Sequence, residues 1–448
     1  MATSVTMNQT QPPLREGRSV TTQHSGPGQL DPGLLDVNLS ADEFWARPPG
    51  QRHAGFAKLR ALPGPAWFPE PQVPFAAAEG GGYYAFVRHA DITEASRHPE
   101  LFSSARGATS IVDLPAEYNE YFGSMISMDD PRHARLRRIV SRAFTPKMIK
   151  RFEEDVQRTA ADIVGELLDT GPCDFVQQVA ARLPLKIISA MMGIGPEHDE
   201  MVLRNTNIIL GGGDPEFLSG NMDEAITQIL LAGQALAELV TELAAARQEQ
   251  PADDLTTALA SANLDGEQLT PAELGSFFIL LVVAGSETTR TAITHALNLL
   301  TEHPAQRELL LADLEGRLPG AVDEIVRYVS PVIWMRRSVT RDCTLNGHDY
   351  REGDKAVLFY WAANRDESVF ADPGRFDITR SPNPHVGFGA AGPHFCLGAH
   401  LARMEARVAL TELFKRIRGY QVDEDDAVRV HSSNVRGFAN LPITVEVR

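Results

Sequence analysis

The sequence predicts a mainly α-helical protein with small β-sheets, on three observations. A helical pattern runs over residues 270–303, and its middle, residues 277–284, is apolar on every face, as in a helix buried in a core. A second apolar stripe at helical spacing, Leu397, Leu401, Met404 and Val408, follows a glycine-rich loop. Runs with strand character are short and fall within residues 66–87 and 344–359.

The elements follow in chain order. Residues 1–33 are rich in Thr, Gln, Pro and Gly, have no apolar period, and read as a disordered extension. Residues 34–448 show no internal repeat and no later linker, so they read as one continuous domain. Between 66 and 87, aromatic and β-branched runs flank Gly80, Gly81 and Gly82, which predicts an antiparallel pair with a tight turn. Residues 103–128 have weak periodicity and several turn residues, which predicts a long irregular loop with a functional role. Thr270 is a good N-cap, Pro271 suits the first helical position, and Glu273 completes a capping box. The thirty-odd residues that follow make a helix of roughly 50 Å, enough to cross the molecule. A further helix is expected over 321–329, ending before Pro331, and another from Cys396 to about Ile417.

Composition narrows the function. The chain has 42 basic and 59 acidic side chains and a net charge of −17, which argues against nucleic acid as a partner. Three cysteines, Cys173, Cys343 and Cys396, make no disulfide framework and suit a reducing compartment. The N-terminus lacks the charged and apolar regions of a secretory signal, and no uninterrupted apolar run reaches the ~18 residues of a membrane span. The expectation is a cytoplasmic monomer with no transmembrane segment.

Chemistry concentrates in the loop 387–398. Cys396 stands among glycines at the start of a helix, where backbone N–H groups stabilise a thiolate. A lone cysteine cannot build a zinc or iron–sulfur site, but one axial thiolate suffices for haem. Cys173 and Cys343 lack this setting and read as inert. In the long helix, Gly285, Ser286, Glu287, Thr288 and Thr289 interrupt the apolar centre, which predicts a local kink or bulge. A buried Glu beside a Thr can pass protons from solvent to a bound ligand. Glu324 and Arg327 are spaced i, i+3 and can pair on one helix face, and His133 and Arg137 share another at i, i+4.

Phe388, Gly389, Gly392, His394, Cys396 and Gly398 together resemble the cysteine-ligand loop of the cytochrome P450 family, the haem-thiolate monooxygenases. One more residue separates Phe388 from Cys396 than in the usual signature, within Ala390-Ala391. The resemblance spans about residues 40–448, with its motifs in the family's order. It implies the cytochrome P450 fold, a triangular helical prism with a long central distal helix. It also implies haem b, iron protoporphyrin IX, with Cys396 as axial iron ligand. His133, Arg137, Arg337 and His394 match contacts to the propionates, and Glu287-Thr288 the acid–alcohol pair beside oxygen. Glu324, Arg327 and Arg375 match a structural charge cluster behind the haem, with Gly374 where a glutamate is common. Electrons are expected from NAD(P)H through a reductase and a ferredoxin, with O₂ as co-substrate. Arg132, Arg135, Arg138, Arg142, Lys147 and Lys150 are expected to form the ferredoxin's docking patch.

Phe278, Leu281, Val282, Gly285, Val332 and Phe438 are the expected substrate-pocket residues, with Phe278, Val282 and Val332 nearest iron. This apolar set suits a lipid or terpenoid. Residues 120–125, 277–291, 363–368 and 383–388 resemble the actinobacterial, including mycobacterial, members that hydroxylate methyl-branched lipids or sterol side chains near the chain end. The expected reaction is ω-hydroxylation of such a chain. The alternatives are internal hydroxylation of small apolar molecules, a peroxygenase that needs no electron donor, or a non-catalytic haem sensor.

Overall fold

The computed structural model describes residues 36–71, 81–142, 144–145, 149–150, 152–210, 222–262, 268–430, 434–435 and 437–448. The proposed N-terminal extension, the turn containing Gly80, and Lys147 lie outside the described residues.

Helices dominate. In chain order they are α1 (Asp42–Ala46), α2 (Pro49–Arg60), α3 (His89–Arg97), α4 (Ala116–Gly123), α5 (Arg132–Ser141), α6 (Glu153–Thr170), α7 (Arg182–Met192), α8 (Asp199–Leu210), α9 (Met222–Glu249), α10 (Leu255–Ala260), α11 (Pro271–Glu302), α12 (Pro304–Ala312), α13 (Leu314–Val329), α14 (Tyr360–Ala363) and α15 (Ala399–Arg416). The capping box at Thr270 and Glu273 forms: Thr270 Oγ1 accepts from the Glu273 N–H, and Glu273 Oε2 from the Thr270 N–H at 2.9 Å. Helix α11 then runs for 32 residues without a break or a π-bulge at the polar stretch. It packs against α4, α7, α8, α9, α13 and α15, which explains why its middle is apolar all round.

A five-stranded sheet, ordered β1 (Ala66–Pro69), β2 (Gly82–Phe86), β8 (Lys355–Phe359), β5 (Trp334–Val339), β3 (Phe102–Ser103), carries a separate aromatic core. β1 pairs antiparallel with β2, as the sequence predicts. Strands β6 (Cys343–Leu345) and β7 (His348–Tyr350) form a hairpin, and β10 (Val428–Arg429) pairs with β11 (Phe438–Asn440). β4 (Cys173–Asp174), β12 (Pro442–Val447) and β9 (Ile417–Val422) make a three-stranded sheet.

Two expectations need correction. Residues 103–128 contain α4 and a 3₁₀ turn, Ser124–Ser127, whose polar, aromatic-rich sequence hides a helical period. Helix α13 starts at Leu314, seven residues before the expected start, because Asp313 caps it by accepting from the Gly316 N–H at 3.1 Å. By mean hydropathy two helices, Glu224–Glu249 and Pro271–Glu302, are long and apolar enough to cross a membrane, although neither is an uninterrupted apolar run. Both lie against other helices here: α11 is the core helix and α9 packs along it.

Candidate functional site

The loop before α15 folds tightly around Cys396. The Cys396 N–H donates to the Phe388 carbonyl at 2.9 Å, and Gly389 takes φ +83°, a conformation open to glycine. A Cβ on Gly392 would lie 2.1 Å from the Ser96 carbonyl, so only glycine lets the loop touch α3. Phe388, whose packing the extra residue left open, lies beneath the Arg403 guanidinium at 4.2 Å. The Cys396 side chain keeps exposed area, yet protein atoms crowd its thiol, so it looks into an enclosed space. Burial pushes the thiol's pKa up. The Gly398 N–H, then Arg137 and Arg403, pull it back down, which favours the thiolate the sequence expects but does not outweigh burial.

Two arginines and two histidines gather beside this loop. The His133 and His394 rings stand 4.2 Å apart. Arg137, one turn on from His133, donates to the Phe395 carbonyl. Alternation along β5 sends Arg336 and Arg337 to opposite sides: Arg336 donates to Asp113 and to the Ile111 carbonyl, and Arg337 acts on His394. Burial, then Arg337, His133 and Arg137, push the His394 pKa down to about 2. Nδ1 of His133 lies 3.4 Å from Asp130, while its buried Nε2 has no protein partner. Two arginines, with two histidines that burial keeps neutral, fit a ligand that brings its own carboxylates, since guanidinium and ring N–H groups can donate to them. A single thiol beside them fits an iron that takes one protein ligand. Among the described residues, no cluster of three His, Cys, Asp or Glu could bind a metal without such a group. The residues present therefore fit haem.

Helix α11 presents the opposing wall. Within its buried stretch, Leu281, Ala284 and Thr288 retain accessible surface; at i, i+3 and i+7 they share one face. Thr288 Oγ1 donates to the Ala284 carbonyl at 2.7 Å, and Glu287 pairs with Arg290. Phe278 and Val282 are corrected: both are fully buried and leave no surface toward an open site. At Gly285 a Cβ would sit 2.7 Å from Ile188 of α7, so this glycine allows a close helix crossing. Phe438 is corrected too. It is buried, its ring tilted against His295 at 4.8 Å and beneath Arg429 at 4.4 Å, with almost no surface toward an open site. Val332 remains half-buried, bridged to Val435. Ala284 was missed as a lining residue; its signal was the three- and four-residue spacing from Leu281 and Thr288.

Behind the loop, Glu324 and Arg327 are fully buried and joined twice, at 2.7 and 2.8 Å. Arg327 also donates to the carbonyls of Asn364, Pro373 and Arg375. Arg375 is corrected as the third charge of this cluster. Its side chain is exposed near Asp377, and only its carbonyl takes part. The third charge is Arg380, whose Nε lies 3.2 Å from Glu324.

The proposed basic patch on α5 is partly neutralised. Arg132 pairs with Glu120, and Arg135 with Glu273 at 2.7 Å. Arg138, Arg142 and Lys150 are exposed.

Comparison with known proteins agrees with this geometry. The family model Cytochrome P450 matches residues 215–447. A methyl-branched lipid omega-hydroxylase of Mycobacterium tuberculosis is 44% identical over 429 residues, 95% of this chain and 98% of that protein. A steroid C26-monooxygenase of the same organism is 38% identical over 357 residues, 78% and 80% of the two chains. Among solved structures, Mycobacterium marinum cytochrome P450 CYP268A2 in complex with pseudoionone is 39% identical, with a TM-score of 0.85 over 91% of this chain and 98% of that one. On these matches over most of its length, the chain belongs to the cytochrome P450 family.

Proposed function

We propose that this enzyme hydroxylates the terminal methyl of a methyl-branched lipid, isoprenoid or sterol side chain, using electrons from NAD(P)H passed through a reductase and a ferredoxin. The observation that carries this reading is the 44% identity, over almost the whole of both chains, to a protein named for ω-hydroxylation of methyl-branched lipids. Haem b, when bound, supplies reductive activation of O₂ and insertion of one oxygen atom into a C–H bond.

The chain's own residues do the rest. Cys396 holds the iron, with negative charge on its sulfur favoured by the Gly398 N–H. His133, Arg137, Arg337 and His394 balance the propionates. Thr288 holds water at the distal face, and Glu287 passes protons to it, its charge meanwhile steadied by Arg290. Leu281 and Ala284, with Val332 as the expected opposite wall, exclude water and hold the substrate chain. A terminal C–H bond is stronger than an internal one, so terminal attack requires an end-on pose; positioning of this kind can outweigh several kcal/mol.

A second reading, internal hydroxylation of a small terpenoid, is favoured by the pseudoionone in the Mycobacterium marinum structure. Incubating the reconstituted enzyme with phytanic acid and with a simple terpene, then locating the hydroxyl by mass spectrometry, separates the two. Terminal hydroxylation of the acid supports the first; internal products favour the second. Product from peroxide alone at equal rate would point to a peroxygenase. A Cys396→Ser variant should lose the red-shifted absorption of the reduced CO complex, and a normal spectrum would sink the whole assignment.

A further inference from the structure

Helix α11 carries a line of polar side chains that runs from the site toward its C-terminal end, with Glu287 paired to Arg290 at one end and Asn298 Nδ2 donating to Glu302 at the other. Glu287, Thr291, Thr294, His295, Asn298 and Glu302 fall within one narrow stripe, spaced 4, 3, 1, 3 and 4 residues apart. All but Glu302 are buried. The hydroxyls of Thr291 and Thr294, each about 1% exposed, have no protein partner. Leaving one buried hydroxyl unpaired costs about 1–3 kcal/mol, so two on one face of one helix call for water.

The stripe has an open end. His295, Asn298 and Glu302 line a cavity of about 500 Å³ between α2 and the C-terminal half of α11. Its rim includes Glu367, whose side chain is 59% exposed, so the cavity reaches the surface there. The stripe's other end is Glu287. Between the two, the chain crosses the stripe at Gly437, which has no side chain to fill it. A Cβ there would lie 3.4 Å from Glu287 Oε1 and 3.5 Å from Thr291 Oγ1. From His295 to Glu287 is eight residues, or about 12 Å along the helix. Side chains one turn apart stand about 5–6 Å from each other, a gap one water bridges.

We propose that Thr291, Thr294 and His295 position a file of water along α11 that joins this cavity to Glu287, and that protons reach Glu287 by it. The proposal rests on the reading of Glu287 and Thr288 as the proton relay. In each cycle the Glu287 carboxylate takes one proton from a water of the file and gives one to the water held at Thr288, so its charge is restored. The rival entrance is a slot between α7, α8 and α11, lined by Leu203, Thr206, Ser286, Glu287 and Arg290. It measures about 10 Å³, room for one water at most, and Arg290 occupies Glu287 on that side.

A high-resolution crystal structure of the haem-loaded enzyme should show ordered waters bonded to Thr291 Oγ1 and Thr294 Oγ1; a dry stripe would overturn the proposal. Thr291→Val should remove waters from the file, lower product per NAD(P)H at least 3-fold, and raise the solvent deuterium isotope effect, with substrate affinity unchanged. Thr291→Ser, which keeps the hydroxyl, should restore all three. Gly437→Val, which plugs the stripe from the other side, should reproduce Thr291→Val. If Thr206→Val lowers coupling and Thr291→Val does not, protons enter by the slot and the file is wrong. Failure of the monooxygenase reading itself would appear separately, as a missing thiolate-type CO spectrum in the unmodified enzyme.

Discussion

The Arg380 guanidinium stands 3.2 Å from the Glu324 carboxylate that Arg327 already grips at 2.7 Å, while Arg375, five residues earlier, turns its side chain to solvent. Glu324 also accepts from the Asp377 N–H at 2.9 Å and from Asn383 at 3.2 Å. One buried carboxylate thus ties α13 to the segment that leads into the cysteine loop. Arg380→Ala should cost about 2 kcal/mol, the scale of a lost charged hydrogen bond. Arg375→Ala should stay within about 0.5 kcal/mol, as for an ordinary surface residue. Arg327→Ala should cost about 3–5 kcal/mol, because it strands a buried charge. Denaturant unfolding of the three haem-loaded variants checks the order; equal effects at 375 and 380 would contradict it.

The two faces of α11 separate binding from stability. Ala284→Phe puts a ring into the open side of the helix, and should abolish the substrate-induced shift in haem absorption while leaving the melting temperature nearly unchanged. Phe278→Ala removes a fully buried ring, and should destabilise by about 3–5 kcal/mol. A Phe278 variant that changes regiochemistry at full stability would show that this face is not core.

Redox-partner docking should follow the exposed basic side chains that pair with no carboxylate among the described residues. Arg142 and Lys150 are exposed, whereas Arg135 is held by Glu273. Arg142→Glu or Lys150→Glu should slow electron transfer from ferredoxin about 3- to 10-fold at low salt and flatten its salt dependence. Arg135→Glu should instead lower stability through repulsion of Glu273. Stopped-flow reduction across an ionic-strength series distinguishes the two effects.

Glu405 on α15 is 2% exposed, and its Oε2 has no partner. Burial raises its pKa well above the ordinary carboxylate range. The folded state therefore holds a proton that the unfolded chain releases above about pH 4.5. Stability from this group is complete below that pH and falls as pH rises. Glu405→Gln removes the titration. The two proteins should melt alike near pH 4.5, with the variant increasingly the more stable toward pH 8. Parallel pH profiles would mean that Glu405 is solvated or paired.

Much of the site could be read from local order along the chain. Thr270, Pro271 and Glu273 specify where α11 begins, because a cap acts through hydrogen bonds within one turn. The glycines around Cys396 specify a tight loop at a helix start, since φ and close approach are local constraints. His133 and Arg137 share a face by spacing alone. Other features depended on what packs against what. A helix apolar on every side carries no mark of which side will meet open space; the helices packed around α11 bury Phe278 and Val282 fully and leave Leu281, Ala284 and Thr288 with accessible surface. Arg375 and Arg380 lie in a segment without periodicity, so only its folded path decides which reaches Glu324. Phe438 is apolar in either setting, and the crossing of β11 over α11 put it against His295. Short-range spacing sets caps, turns and faces through bonds a few ångströms long, whereas the rotation of a buried helix and the course of an irregular loop are set by partners tens of residues away or more.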